Sequence, residues 1–206
     1  MLTFCVPTHE RDGEAGETEV RFSVPELRVL FAGSRYSEVP QTTCGALVGQ
    51  FARHGFSFLV GCADGVDCSF RRALSCSPYR ERCVVACAFP GRRKRARSHG
   101  LFASVVVPEG LAPKAALHRR TLWMVKRCSL AVLFPENPHD KFWGKGSRLV
   151  FQACFYHLKP LFVASSAPPP SSIHYRVLPS SLFGVVEGFW VVPHPISDGG
   201  TCDEEF

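Results

Sequence analysis

The sequence predicts an α/β protein with a parallel sheet flanked by helices and a short C-terminal strand or hairpin. Two observations lead to this fold. Short apolar runs, which are typical of buried parallel strands, alternate along the chain with longer segments of helical periodicity. Three of the apolar runs also end in small or polar residues, at the position where open α/β sheets bind their ligands.

The first half of the predicted sheet contains three strands and two helices. The apolar runs "LRVLFAG", "FSFLVG" and "RCVVACAFP" predict the strands. Between the first two, "TTCGALVGQFARHG" places Leu47, Val48 and Phe51 on one helical face and ends at Gly55. The segment "DCSFRRALSC" predicts the second helix, with Asp67 as its N-cap.

The second half continues the alternation. The segment "LFASVVVPEG" fits either a strand or a buried connector, and "APKAALHRRTLWMVKRCS" predicts a helix. A strand ("LAVLFPEN"), a helix ("GSRLVFQACFYHLK") and a strand ("PLFVAS") follow, and after the break "APPPSS" the last apolar runs predict a strand or hairpin. The chain therefore divides into an N-terminal arm (1–25), an α/β domain (26–166) and a C-terminal extension with an acidic tail (167–206).

Composition points to a soluble, cytoplasmic protein with no membrane partner. Of the 206 residues, 46% are hydrophobic and 20% are charged, as in ordinary globular domains. No apolar stretch approaches the roughly 20 residues that cross a bilayer, and the first residues lack the basic start and apolar region of a secretory signal.

The ten cysteines favour buried, reduced thiols over a disulfide framework. None forms a CxxC pair, and half of them lie inside apolar runs, namely Cys62, Cys83, Cys87, Cys128 and Cys154. A metal held by Cys83 and Cys87 with His54 or His157 is the alternative, but the short ligand pairs of zinc sites are missing. We therefore predict no metal and no cofactor.

The run "GSR" follows the first strand and suggests one wall of a binding site. Gly33 lets the backbone turn close to a ligand, Ser34 can hydrogen-bond a phosphate or cap the turn, and Arg35 can neutralise it. A plain turn is the alternative reading. The run "GCADGVD" after the second strand brackets a tight turn between Gly61 and Gly65.

Two further positions combine a structural and a functional reading. Asp67 either caps its helix or accepts a ribose hydroxyl. Arg120 lies on the same helical side as Leu117 and Met124, where an unpaired guanidinium is costly. It is therefore either paired with Asp67 or Glu136, or it reaches the phosphate of a ligand.

The third segment, "PENPHDKFWGKGS", ends in a glycine pair that opens a helix. Gly144 and Gly146 free the backbone, Ser147 begins the helix, and Lys145 faces either a phosphate or solvent. The segment lacks the full spacing of a Walker A loop.

Together, strand-"GSR", strand-"GxAxGxD"-helix and strand-"FP…GKGS"-helix resemble the SLOG superfamily of Rossmann-like nucleotide-binding proteins over residues 27–164. This group includes the YspA-like proteins, the DprA/Smf DNA-processing proteins and the LONELY GUY phosphoribohydrolases. The YspA-like branch is the most similar, since its Arg-Asn-x-x-Met helix matches Arg120 and Met124 but not Thr121.

The resemblance implies a nucleotide-binding domain, commonly a homodimer, with a pocket for a nucleoside phosphate or an ADP-ribose-like ligand. It implies these pocket residues: Gly33, Ser34, Arg35, Gly61, Ala63, Gly65, Asp67, Arg120, Gly144, Lys145, Gly146 and Ser147.

Three departures bear on activity. The position of the phosphoribohydrolase glutamate is Val150, whose side chain does no acid–base chemistry, so Glu136 or Asp140 would have to substitute. Cys62 stands where the family has a glycine and Phe70 where it has a small residue, which predicts a narrower pocket.

Three functions stay open at this point. The first is nucleotide-ligand binding, as in a sensor, and the second is a phosphoribohydrolase-like N-glycosidase. The third is single-stranded nucleic-acid binding of the DprA type, supported by the net charge of +6, with Phe102 and Trp143 as stacking groups. Its basic run contains Arg92, Arg93, Lys94, Arg95 and Arg97, which otherwise form a solvated loop or a targeting signal.

Overall fold

The structure is a computed structural model, and it describes residues 26–136 and 143–194. The predicted N-terminal arm (1–25), Asp140 and the acidic tail lie outside the described residues. The numbering below refers to the described part of the chain.

Eight strands form one sheet in the described residues. The strands are β1 (Arg28–Gly33), β2 (Ser57–Gly61), β3 (Cys83–Cys87), β4 (Phe102–Val105), β5 (Leu130–Phe134), β6 (Leu161–Val163), β7 (Tyr175–Leu182) and β8 (Val186–Pro193). Their spatial order is β4-β3-β2-β1-β5-β6-β8-β7. Strands β1 to β6 pair in parallel, whereas β8 pairs antiparallel with both β6 and β7. The predicted α/β class and the C-terminal hairpin are confirmed, and the hairpin extends the same sheet.

Five α-helices connect and cover the parallel strands. They are α1 (Gln41–Arg53), α2 (Val66–Ser75), α3 (Pro90–Arg97), α4 (Pro113–Arg127) and α5 (Lys145–Tyr156), and a single 3₁₀ turn spans Arg80–Arg82. In the described ranges, none of the helices combines the length and apolar character that a membrane crossing requires.

The core lies on both faces of the sheet. In β1, alternate side chains point to opposite faces, so Phe31 packs with α1 and α2 while Leu30 packs with α4 and α5. The ring of Phe31 stacks on Phe70 with centroids 3.9 Å apart. Phe70 therefore belongs to the core, and the expectation that it narrows the pocket is wrong.

The strand order reverses at the centre of the sheet and places a crevice there. From β1 the chain builds outward through β2, β3 and β4 on one side, and through β5 and β6 on the other. In open α/β sheets the ligand lies at this switch point, beyond the carboxyl ends of the strands. The described parts of the three predicted segments, which follow β1, β2 and β5, meet at that crevice.

The basic run forms a helix rather than a solvated loop. Helix α3 begins at Pro90, which suits a first helical turn because its missing N–H is not needed there. Ala96 is buried against the sheet and fixes the orientation of the helix. The ambiguous segment that follows is a strand, β4.

Candidate functional site

A cavity of about 850 Å³ opens at the carboxyl ends of β1, β2 and β5. Most of the predicted pocket residues line it: Gly33, Ser34, Arg35, Ala63, Asp67, Arg120, Lys145, Gly146 and Ser147. Gly61, Gly65 and Gly144 lie beside it but do not line it.

Two of the predicted glycines are required by packing within the chain. A Cβ on Gly33 would lie 2.7 Å from Val66 Cγ2 and would strike the Phe134 carbonyl. Gly65 has a φ of +64° and passes directly over the Ser34 carbonyl. Gly33 was expected to let the backbone turn close to a ligand, and its packing shows a further role, which is to let β1, β5 and α2 approach each other.

Asp67 is not the N-cap of α2, so this prediction is wrong. The helix begins at Val66 with Gly65 as its N-cap, and Asp67 lies in the first turn. Its Oδ2 atom accepts a hydrogen bond from the Ala63 N–H at 3.1 Å and another from Arg120 Nη1 at 3.4 Å. The bond from Ala63 closes the β2–α2 turn. Since Asp67 is only 5% exposed, its ion pair with Arg120 is buried.

Arg120 forms the floor of the cavity. The residue is 7% exposed, and Nη1 lies 3.4 Å from both Asp67 Oδ2 and Cys62 Sγ. Burial alone would lower the pKa of Arg120, but Asp67 and Cys62 outweigh it and raise that pKa, so the guanidinium is charged. Its Nε is buried with no hydrogen-bond partner among the described residues. The ion-pair reading of Arg120 thus holds with Asp67, and a free donor is left beside the cavity.

Arg71 organises the same loop and was missed by the sequence analysis. It is 2% exposed, and Nη1 donates to the carbonyls of Gly61 at 2.6 Å and Ala63 at 2.8 Å. These two carbonyls flank Cys62. Arg71 follows Asp67 by one helical turn on the buried side of α2, and that spacing was the available signal.

Cys62 lies between these arginines and lines the cavity. Hydrogen bonding from the Cys87 thiol is the largest cause that lowers the pKa of Cys62, and the charge of Arg120 adds to it against the effect of burial. The buried thiol of Cys44, in contrast, has its pKa raised by burial to about 12. The environment of Cys62 therefore differs from that of an ordinary core cysteine.

The N-terminus of α5 faces the cavity. The helix begins at Lys145 with Gly144 as N-cap, so Ser147 lies in the first turn and does not start the helix as predicted. In the described chain, no side chain caps this end. A Cβ on Gly146 would meet no atom of the described residues within 4 Å, so these residues leave space beside the first turn of α5.

Cations surround the mouth of the cavity. Arg35, Lys145 and Arg148 lie on the side of β1 and α5, and Arg92 and Lys114 contribute from α3 and α4. The sequence analysis missed several lining residues, namely Tyr36, Lys114, His118, Thr121, Arg148 and Gln152. Those on α4, Lys114, His118 and Thr121, follow one another at four- and three-residue spacing and so share one helical face, which was a usable signal.

The carboxylates offer little acid–base chemistry. Val150 lines the cavity with an apolar side chain at the position of the phosphoribohydrolase glutamate. Asp67 is engaged with Arg120, which leaves Glu136 as a lining carboxylate without that constraint, while Asp140 lies outside the described residues. Within the described ranges, no cluster of three or more His, Cys, Asp or Glu side chains is arranged to hold a metal ion.

Helix α3 carries its basic side chains next to the cavity. Arg93, Lys94, Arg95 and Arg97 are exposed, whereas Arg92 is half-buried and lines the cavity. Asp64 pairs with Arg92 at 3.5 Å and with Arg95 at 3.2 Å.

The two aromatic residues predicted to stack on bases lie in different environments. Phe102 is exposed on β4. Trp143 is buried with its ring 5.2 Å from Phe151, so it belongs to the core and is not available for stacking.

Comparison with known proteins places the fold. No protein-family model matches this chain, and no curated protein matches it significantly in sequence. The chain is similar in structure to DNA processing protein A from Helicobacter pylori, whose structure was solved for its single-stranded DNA binding mode. The TM-score is 0.52 and the sequence identity 16%, and the match covers 72% of this chain and 67% of that chain. The structural-genomics target TM1055 has a TM-score of 0.45 and 14% identity, over 66% of this chain and 72% of that chain. The chain therefore has a fold like that of DNA processing protein A.

Proposed function

We propose that this protein binds a phosphate-bearing, nucleotide-derived ligand, such as a nucleoside phosphate or an ADP-ribose-like molecule, in the cavity above β1, β2 and β5. The observation that supports this most strongly is the open N-terminus of α5 facing a cavity whose floor is the charged, buried Arg120. A helix N-terminus with free N–H groups binds anions, because these groups and the helix dipole both favour negative charge.

The phosphate is expected next to α5. This helix is 12 residues long and its first turn contains no acidic residue, and the Glu136 carboxylate lies beside its N-cap, Gly144. Arg35, Lys145 and Arg148 lie around the same opening, and Arg120 Nε supplies an unused donor below it. These groups fit a charge-assisted phosphate contact.

The remaining space suits a nucleoside. A volume of about 850 Å³ lies within the usual size of small-molecule sites, which is roughly 300–1,000 Å³. Leu117, Met124 and Val150 give part of the wall an apolar character, and Tyr36 lines the mouth with a ring that is 77% exposed. An exposed ring at a cavity mouth can stack on a base.

The test combines detection of the ligand with a matched pair of variants. Native mass spectrometry of freshly purified protein should show a co-purified nucleotide mass, and calorimetric titration should show binding of AMP or ADP-ribose but much weaker binding of adenosine. Gly146→Val should abolish this binding, because its side chain fills the open end of α5. Gly45→Val is the control, since Gly45 also has an open environment but lies on α1 away from the cavity. Equal affinity for AMP and adenosine would contradict the proposal.

Single-stranded nucleic-acid binding is a second candidate, favoured by helix α3. Arg93, Lys94 and Arg97 are exposed and have no ion pair among the described residues, and the helix borders the cavity through Arg92. The Helicobacter pylori protein binds single-stranded DNA, but its likeness to this chain is one of fold, so the argument rests on α3.

The second candidate predicts a specific salt dependence. Replacing Arg93, Lys94 and Arg97 with serine should reduce the salt slope of oligonucleotide binding by about two, since each single-strand phosphate contact contributes about 0.7. The control removes the same charge from other exposed positions, namely Arg53, Lys126 and Arg176. Fluorescence anisotropy at several salt concentrations measures both variants, and an equal loss in the two would show that α3 is not a specific surface.

A further inference from the structure

Two arginines are buried below the cavity, and only one of them is paired with a carboxylate of the described chain. Arg71 and Arg120 are 2% and 7% exposed, and Asp67 is the acidic side chain paired with Arg120. Among the described residues, Arg71 has no carboxylate partner and bonds instead to the carbonyls on either side of Cys62. A buried positive charge without a counter-charge is costly, so the cluster lacks one anion.

Cys62 is placed to supply that anion. Its sulfur lies 3.4 Å from Arg120 Nη1, and its own carbonyl accepts a hydrogen bond from Arg92 Nη1 at 3.5 Å. With Cys62 as a thiolate, the two buried guanidiniums are balanced by two anions. The lowered pKa of Cys62 agrees with this arrangement.

A second cysteine lies directly beside Cys62. Gly61 pairs with Ala86 at the end of the parallel register of β2 and β3, so Cys62, the first residue after β2, follows that pair on the same side of the sheet as Cys87, the last residue of β3. Facing residues on adjacent strands lie roughly 4.8 Å apart, which is inside the Cα separation that a disulfide spans. The pKa of Cys87 is raised by its interaction with the Cys62 sulfur and by burial, which favours Cys87 as the protonated partner of the pair.

We propose that Cys62 is a reactive thiolate and a redox modification site, which small peroxides reach through the cavity and which Cys87 then captures as a reversible disulfide. The inference goes beyond the proposed ligand binding and does not depend on it. Other buried cysteines lack this combination, since Cys44, Cys83 and Cys128 do not line the cavity and burial raises their pKa. An inert core thiol is the alternative.

The chemistry balances with hydrogen peroxide as the oxidant. The Cys62 sulfur attacks one peroxide oxygen, the O–O bond breaks, and the other oxygen leaves as hydroxide and takes up a proton to give water. Cys62 is then a sulfenic acid. The Cys87 sulfur attacks it, the S–O bond breaks, and the leaving hydroxide combines with the proton from Cys87 to give a second water. Two thiols thus lose two electrons and two protons, and the peroxide is reduced.

The experiment treats the full chain with hydrogen peroxide, blocks free thiols with N-ethylmaleimide and digests with trypsin. Cys62 lies in the tryptic peptide 54–71 together with Cys68, and Cys87 lies in 83–92 together with Cys83. We expect these two peptides to be joined and to separate on reduction. The yield should fall about tenfold or more in Cys62→Ser and in Cys87→Ser, and stay within about twofold of wild type in the matched controls Cys68→Ser and Cys83→Ser.

A second readout covers the case in which Cys62→Ser does not fold. In Cys87→Ser the sulfenic acid on Cys62 has no thiol partner, so dimedone should label Cys62 in that variant. In the wild-type protein, mass-spectrometric fragmentation of the joined peptides should show that the disulfide links Cys62 and Cys87. Exposed Cys76 reports the background labelling. The proposal is overturned if no joined peptide forms, if the link depends on Cys68 or Cys83, or if dimedone labels Cys76 and leaves Cys62 unmodified.

Discussion

The charge of Asp67 should be essential for stability, and Asp67→Asn tests this. The substitution keeps the shape of the side chain and can still accept the Ala63 N–H, but it removes the counter-charge of Arg120, 3.4 Å away. Both side chains are less than a tenth exposed. Breaking a buried pair by removing one partner costs about 3–5 kcal/mol of unfolding free energy, whereas loss of a helix cap costs about 1 kcal/mol. The size of the effect therefore distinguishes the two roles.

The assay is urea unfolding of wild type and variant, followed by thermal melts. For a domain of this size, each kcal/mol corresponds to about 2–4 °C, so we expect the melting temperature to fall by about 10 °C. Asp64→Asn is the matched control. Asp64 also pairs with arginine, but its side chain is 50% exposed, so its loss should cost no more than about 1 kcal/mol.

A double variant completes the cycle. Arg120→Met in the Asp67→Asn background removes the charge that the single variant leaves unpaired, so it should recover part of the lost stability. If Asp67→Asn alone stays within about 1 kcal/mol of wild type, the buried ion pair contributes nothing and the reasoning about the cavity floor is refuted.

Two further predictions concern the cavity mouth and the β2–α2 turn. Tyr36→Ala should weaken nucleotide binding about tenfold in a calorimetric titration if the ring stacks on a base, whereas Tyr156→Ala, an exposed tyrosine outside the cavity, should leave it unchanged. Gly65→Ala should cost about 3 kcal/mol in urea unfolding, because a Cβ adds a collision with the Ser34 carbonyl to the strain of a positive φ. Gly100→Ala, at a similar φ of +70° in open space, should cost about 1 kcal/mol of unfolding free energy. An equal loss of stability in the two variants would show that the close approach of Gly65 to the Ser34 carbonyl is not important.

The fold and the position of the site were predictable because they follow from short-range patterns. Alternating apolar runs and helical periodicity predict a parallel sheet, and the carboxyl ends of parallel strands meet at one edge. Gly33, Asp67 and Lys145 come from three separate segments, yet the rule brings all three loops together, as the structure shows.

The hydrogen bonds and ion pairs within the site were less predictable, because they depend on contacts between distant segments. The neighbouring sequence predicts that Asp67 is a helix N-cap. In the structure Asp67 is instead the ion-pair partner of the buried Arg120, 53 residues further along the chain. Arg71 and Arg72 are adjacent and chemically identical. The structure buries the first under the β2 loop, while the second stays at the surface near Glu38. Only the orientation of α2 against the sheet separates them.

The two proposals meet at Arg120, and this gives a testable link between them. With Cys62 as a thiolate, the charges of Arg71 and Arg120 are balanced by Asp67 and Cys62. A disulfide to Cys87 removes one of those anions, so Arg120 then attracts a phosphate in the cavity more strongly. Because coupling between two events is reciprocal, a bound nucleotide should in turn favour the disulfide. Titration of AMP into reduced and peroxide-treated protein should therefore show tighter binding in the oxidised form. Equal affinities would mean that the Cys62 charge is not felt in the phosphate site, and that Arg120 serves the ion pair with Asp67 alone.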